Sequence, residues 1–266
     1  MSNRPPCVLS IAGSDSGGGA GIQADLKAFA ACGVHGMTAI TAITAQNTVG
    51  VTAVEAISPE LILAQVRAVA GDIGVDAVKI GMLGTADTIT AVAQALDELR
   101  AGTPVVLDPV MVTESGARLL ESAAQDALIT HLLPRVLVAT PNLPEARALA
   151  PAAGASVAGD DAAGLARAIR ALGPEVVVVT GGHREQAIDV FFDGDRVVEI
   201  PGERYPGGAA HGSGCTHSSV LAARLAWGDS PLEAARAAKL RAAAAVRDGL
   251  TGVGEGAGPV NILGVT

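Results

Sequence analysis

The chain has 266 residues, 49% of them hydrophobic, with 18 basic against 27 acidic side chains and a formal net charge of −9. That length allows one large α/β domain or two ordinary ones. The charge argues against nucleic acid, which needs clustered Lys and Arg, and aromatics at 2% leave no platforms for stacking bases.

Strand-like and helix-like runs alternate almost from end to end. Positions 8–12 form a short apolar run, followed by a glycine-rich loop and a helix from 21 to 32. Strands are expected at 37–45 and 51–57, then a helix at 59–69 capped by Ser58. A strand at 77–80, a helix at 87–99 and a strand at 105–107 repeat the pattern. Next come a strand at 136–139 with a helix at 143–149, and a helix at 160–172 with a strand at 176–179. Two strands at 188–192 and 197–200 read as a hairpin around Asp193-Gly194-Asp195. Helices at 215–227 and 231–247 close the series, and the tail after Gly249 looks irregular. Buried strands alternating with amphipathic helices predict a mostly parallel sheet covered on both faces. No linker divides the chain, so one domain spanning 1–266 is expected. No apolar run reaches the roughly 18 residues of a membrane span, and positions 1–6 lack the features of a signal peptide. A cytoplasmic protein follows. Cys7, Cys32 and Cys215 cannot all pair, and no C-x-x-C spacing suggests zinc.

The most informative segment is His211-Gly212-Ser213-Gly214-Cys215-Thr216, where a loop becomes a helix. Unpaired N–H groups at a helix start hold developing negative charge, and Gly212 and Gly214 allow close approach of a phosphate. A cysteine there is expected to have a lowered pKa and to serve as base or nucleophile. A capped helix with a small buried thiol is the plainer alternative.

The loop Ser14-Asp15-Ser16-Gly17-Gly18-Gly19-Ala20-Gly21 sits where a dinucleotide-binding turn would, yet no G-x-G-x-x-G fits it. Position 213–214 likewise lacks the Lys-Ser or Lys-Thr of a Walker site. Asp25 reads alone as a solvated helix carboxylate and Gln46 as a turn amide. As a pair beside a strand end, a carboxylate and an amide could read the edge of a flat heterocycle. Asp108 ends a buried strand. Asn142 and Glu145 have capping-box spacing, and Asp108 with Glu145 at one sheet edge would suit magnesium and phosphate. Thr180-Gly181-Gly182-His183 is another polar strand end. His183 and His211 are read as loop histidines without a catalytic role.

These segments, in this order, resemble the hydroxymethylpyrimidine/phosphomethylpyrimidine kinases of the ribokinase-like superfamily. The matching stretches are 12–27, 44–48, 79–83, 108–112, 140–146, 181–183 and 211–216. The resemblance implies a ribokinase-like three-layer α/β/α fold, ATP with Mg²⁺ as phosphoryl donor, and a homodimer. The substrate would be 4-amino-5-hydroxymethyl-2-methylpyrimidine, phosphorylated on its hydroxymethyl oxygen and then on the new phosphate in thiamin biosynthesis. Gly13, Asp25, Gln46 and Met82 would line the pyrimidine pocket, Met82 packing on the ring. Asp108, Asn142, Glu145, Thr180, Gly181 and Lys239 would serve ATP and its phosphates, with Glu145 and Asp108 toward Mg²⁺, directly or through water. Gly212, Ser213 and Gly214 would form an anion hole and Cys215 the catalytic base. Thr180 stands where many relatives carry Lys. The rival readings are a pyridoxine/pyridoxal kinase and a pyrimidine-binding module without catalysis.

Overall fold

A computed structural model describes residues 4–111, 120, 122–155, 157, 159–182 and 187–266. Val112 and His183, both within the matched stretches, lie outside these.

Among the described residues nine strands make one sheet in the order β3-β2-β1-β4-β5-β6-β7-β8-β9. They are β1 (Cys7–Asp15), β2 (His35–Gln46), β3 (Val51–Ala56), β4 (Ala77–Ile80), β5 (Val105–Leu107), β6 (Val138–Ala139), β7 (Val176–Val179), β8 (Asp189–Phe192) and β9 (Val197–Ile200). The six strands from β2 across to β7 run parallel. Antiparallel β3 closes one edge, and the β8–β9 hairpin closes the other. The helices are α1 (Gly21–Ala31), α2 (Pro59–Asp72), α3 (Ala86–Leu96), α4 (Ser122–Ala127), α5 (Leu143–Leu149), α6 (Ala162–Arg170), α7 (Ser213–Ala226) and α8 (Pro231–Arg247).

Side-chain alternation along the strands builds two cores. Leu9 and Ile11 of β1 face Ile62 and Val66 of α2, Ile89 and Val92 of α3, Leu149 of α5 and Ile169 of α6. Val8 of the same strand faces the other way, joining Phe29 of α1, Val220 and Leu221 of α7, and Ala234 and Ala238 of α8. One sheet between two helical layers is the three-layer α/β/α architecture, as expected. Caps set the helix starts: Ser58 and Thr85 accept N–H bonds from Leu61 and Thr88, and Ser230 with Glu233 forms a capping box.

Of the boundaries that differ from the sequence reading, two shape the site. β1 runs on to Asp15, because after an irregularity between Ala12 and Ser14 it still pairs with Ile43 and Thr44 of β2. α7 begins at Ser213 rather than Cys215, so the thiol lies inside the first turn. Gly212 is the N-cap with φ of 82°, a left-handed conformation that glycine adopts without steric cost.

Candidate active site

The parallel strands deliver polar residues to one edge of the sheet. Asp15 ends β1, Gln46 ends β2, Met82 follows β4, Asp108 follows β5, Asn142 follows β6 and Thr180 follows β7. All six line a cavity of about 500 Å³ with Gly212, Ser213, Gly214 and Cys215. Its position, outside the carboxyl ends of parallel strands, is where open α/β sheets bind ligands.

Gly13 and Met82 are neighbours there, since a Cβ at Gly13 would lie 3.2 Å from Met82 Sδ. The Gln46 side-chain carbonyl accepts from the Thr44 hydroxyl at 3.1 Å. Among the described residues its Nε2 has no protein partner, which leaves two donors for a ligand.

The glycine-rich loop is held from within by Asp15. Its carboxylate accepts from the N–H groups of Gly17 at 2.8 Å, Gly19 at 3.1 Å and Ala20 at 2.9 Å. His211 Nε2 lies 3.0 Å from the same carboxylate. Burial opposes this charge, but the His211 ring and the backbone donors outweigh it and hold the carboxyl below its ordinary value. Sequence reasoning missed this pairing, although Asp15 lies inside the matched stretch. Contact between the two loops is tight enough to require glycine: a Cβ on Gly212 would sit 1.8 Å from the Gly19 carbonyl oxygen.

The helix start differs in detail from the expected anion hole. The Ser213 N–H already donates to the Ala210 carbonyl at 3.0 Å, so Ser213 offers only its side chain. Among the described residues the N–H groups of Gly212, Gly214 and Cys215 have no backbone acceptor, so Gly212 and Gly214 keep the expected role and Cys215 joins them. The Cys215 thiol is half-buried, and it is not acidic as expected. Burial pushes it up to about 12, with Lys79 pulling it down and Asp25 and Asp108 pushing it further up. The desolvation of a packed, anion-rich corner outweighs the helix start.

Asp108 and Glu145 form a buried acidic pair. Ser218 Oγ of α7 lies 3.1 Å from Asp108 Oδ2. Burial raises the Asp108 pKa, with Lys79 working against the rise. Burial, then the charge of Asp108, pushes Glu145 up to about 8. Glu145 also completes the capping box of α5: it accepts from the Asn142 N–H at 2.9 Å, while Asn142 Oδ1 accepts from the Glu145 N–H at 2.9 Å. Among the described residues no group of three or more His, Cys, Asp or Glu stands ready to hold a metal. Two buried carboxylates on one cavity wall, with the charge of Asp108 raising the proton affinity of Glu145, are nonetheless a fit for Mg²⁺, which takes one or two carboxylates and completes its shell with water and phosphate.

Three expected residues are placed otherwise than the sequence suggested. Asp25 does not line the cavity. It is fully buried in an ion pair with Lys79 of β4, with Nζ at 2.8 and 3.0 Å from its two oxygens. Gly181 is not at the cavity wall either: its N–H donates to Asp189 at 2.8 Å, and a Cβ there would meet the Ile188 carbonyl at 1.9 Å. Its neighbours Thr180 and Gly182 line the cavity instead. Lys239 does reach the wall, but its ammonium is paired with Asp189 at 2.6 Å. His217 Nε2 approaches the other Asp189 oxygen at 3.2 Å. Burial opposes the Asp189 charge, yet His217 and Lys239 hold its carboxyl below the ordinary value.

The family model described as phosphomethylpyrimidine kinase matches residues 15–261. The chain is 52% identical over 260 residues to the hydroxymethylpyrimidine/phosphomethylpyrimidine kinase of Rhizobium meliloti, covering 96% of each chain. Among solved structures it is similar to phosphomethylpyrimidine kinase from Clostridium difficile, 40% identical with a TM-score of 0.76, over 88% of this chain and 96% of that one. It is also similar to the pyridoxal kinase of Staphylococcus aureus in complex with ADP, 33% identical with a TM-score of 0.87, over 98% and 94% of the two chains. With a strand-end cavity built from its matched segments and a relative sharing half its residues, the chain belongs to the phosphomethylpyrimidine kinase family.

Proposed function

We propose that the chain is an ATP-dependent kinase of thiamin biosynthesis. It phosphorylates 4-amino-5-hydroxymethyl-2-methylpyrimidine on its hydroxymethyl oxygen and then phosphorylates the monophosphate. One observation carries this reading: the α7 start shares a single cavity with Gln46 and Met82 and with the carboxylates Asp108 and Glu145. The names of the curated relatives and the ADP bound to a structural neighbour support it.

In the first transfer the hydroxymethyl oxygen bonds to the γ-phosphorus while the bond to the β-phosphate oxygen breaks. Gln46 donates to the ring edge and Met82 packs on the ring beside Gly13. The N–H groups of Gly214 and Cys215 hold the transferring charge, which is the main demand of phosphoryl transfer. The hydroxymethyl proton passes to the Cys215 thiolate, which forms when the thiol, protonated before substrate binds, releases its own proton to solvent as the complex assembles. The second acceptor is already an anion and needs no base. Mg²⁺ would be held by Asp108 and Glu145, and there it would neutralise phosphate charge. Thr180, Asn142 and Lys239 line the same cavity, and in this reading they serve the phosphates.

Pyridoxal kinase is the second reading, favoured by the similarity to the Staphylococcus aureus enzyme. The comparison of kcat/KM for the two alcohols with ATP and Mg²⁺ decides between them. The pyrimidine is expected to win by about tenfold or more; a preference for pyridoxal of that size would overturn the assignment.

The chain is proposed to act as one domain, in the cytoplasm, as a homodimer. Among the described residues no helix is long and apolar enough to cross a membrane. Exposed Ile43, Val49 and Val54 along the β2–β3 edge support pairing with a second copy.

A further inference from the structure

A lysine occupies the middle of the sheet. Lys79 sits in the four-residue strand Ala77–Ile80, every residue of which is buried, and its side chain is 0% exposed. Its only carboxylate within ion-pair distance among the described residues is Asp25 of α1, also 0% exposed. Asp25 is in turn bonded to Ser10 of β1 at 2.5 Å and to Ser219 of α7 at 2.8 Å. A buried pair of this kind is no general device for stability, because the desolvation of both ions offsets most of their attraction and apolar replacements are often as stable. The site pays for the charge in a second way. Gly81, next to Met82, leaves the room: a Cβ there would come within 2.8 Å of Lys79 Nζ and 3.0 Å of the Ala12 Cβ.

The network joins four elements directly behind the reacting corner. Ser219 lies one turn along α7 from Cys215, and Ser218 beside it contacts Asp108. We infer that Lys79 is a positioning residue for phosphoryl transfer, whose ammonium, locked by Asp25, keeps a permanent positive charge behind Asp108 and the first turn of α7. The orientation of the pair agrees. At Cys215 the pull of Lys79 toward the ionised form exceeds the opposing push from Asp25. Burial works to neutralise Lys79 itself, but Asp25, with Cys215 and Asp108, holds its pKa above the ordinary value. The charge is therefore present at any working pH. A fixed charge in a dry site acts without reorganising when negative charge develops during transfer. Asp25 thereby gains a role other than touching the pyrimidine: it holds the cation in place.

This inference rests on the kinase reading, and wild-type transfer to the pyrimidine, measured alongside, tests that reading separately. Two neutral replacements of the pair separate charge from architecture. One is polar, Asp25→Asn with Lys79→Gln, and the other apolar, Asp25→Leu with Lys79→Met. In whichever folds, judged by a cooperative melt, kcat for the first transfer is expected to fall about tenfold or more, with the KM for pyrimidine and for ATP–Mg²⁺ within about threefold of wild type. A folded variant with wild-type kcat would overturn the inference, leaving the pair a matter of packing. A rise in the pyrimidine KM with kcat preserved would overturn it in favour of direct substrate contact. Failure of both pairs to fold would also overturn it, because the ions would then be needed for the fold itself. Inactive wild-type protein would remove the kinase reading and the inference together.

Discussion

Alkylation of Cys215 gives a direct reading of how the empty site treats its thiol. The group is half-buried and lines the cavity, so a small reagent such as iodoacetamide reaches it. Its pKa is pushed up from an ordinary value near 9.0 to about 12. At pH 8 that change lowers the thiolate fraction from about one in ten to about one in ten thousand, and the thiolate is the reactive form. A more basic thiolate is intrinsically more nucleophilic, by about 20-fold for three units at a Brønsted slope of 0.4–0.5. The net expectation is alkylation roughly 50-fold slower than an unperturbed thiol. Peptide-resolved mass spectrometry of the ligand-free protein, from pH 7 to 11, measures the rate at Cys215 apart from Cys7 and Cys32. The logarithm of the rate should rise with unit slope across the whole range. Steric protection alone would give a slow rate that levels off near pH 9. Such a plateau, or labelling as fast as a free thiol at pH 8, would refute the argument that burial dominates over the helix start.

Four further outcomes are expected. Cys215→Ala should lower kcat for transfer to the hydroxymethyl oxygen by about 10²–10⁴-fold and for transfer to the monophosphate much less; equal losses in separate half-reaction assays would make the thiol structural. Gln46→Ala should lower kcat/KM for the pyrimidine by about tenfold or more, the cost of one lost buried hydrogen-bond partner, with the KM for ATP unchanged; wild-type kinetics would take Gln46 out of the pocket. Glu145 is a carboxyl whose folded pKa, about 8, lies above its ordinary 4.5. Its contribution to stability is therefore full below pH 4.5 and lost as pH rises toward 8, so Glu145→Gln should flatten a decline in melting temperature over that window, and a slope unchanged by the substitution would contradict the assignment. Gly212→Ala should lower the melting temperature by several degrees, since the new Cβ meets the Gly19 carbonyl in a left-handed turn, while Gly214→Ala, whose Cβ has only Asp108 Oδ2 at 3.8 Å, should leave it nearly unchanged.

The alternation of apolar runs gave the element order and the mostly parallel sheet, because burial on two faces leaves an unmistakable pattern in strands such as Val176–Val179. The cavity was legible for the same reason: polar residues placed just after such strands, at 46, 108, 142 and 180, must gather at one sheet edge. What the chain order could not give is which of those side chains face the ligand. Asp25 sits four residues into a helix whose Asp25 face turns toward β4, and only the buried lysine within the run Ala77–Ile80 hinted at its partner. Lys79 was the available clue, since a charge in a fully apolar strand needs a counterion. The acidity of Cys215 was misjudged because local position was weighed alone. A helix start favours the thiolate, but three-dimensional packing beside Asp25 and Asp108 reverses the balance. The pairings of Asp15 with His211 and of Asp189 with Lys239 join residues far apart in the chain, and no spacing rule reaches across such distances.

A product time course tests the central claim most directly. The purified chain, ATP and Mg²⁺ are mixed with 4-amino-5-hydroxymethyl-2-methylpyrimidine, and product masses are followed. The monophosphate should appear first and then convert to the diphosphate, with one ATP consumed at each step. Loss of ATP without either phosphorylated pyrimidine, or a pyrimidine returned unchanged, would contradict the account.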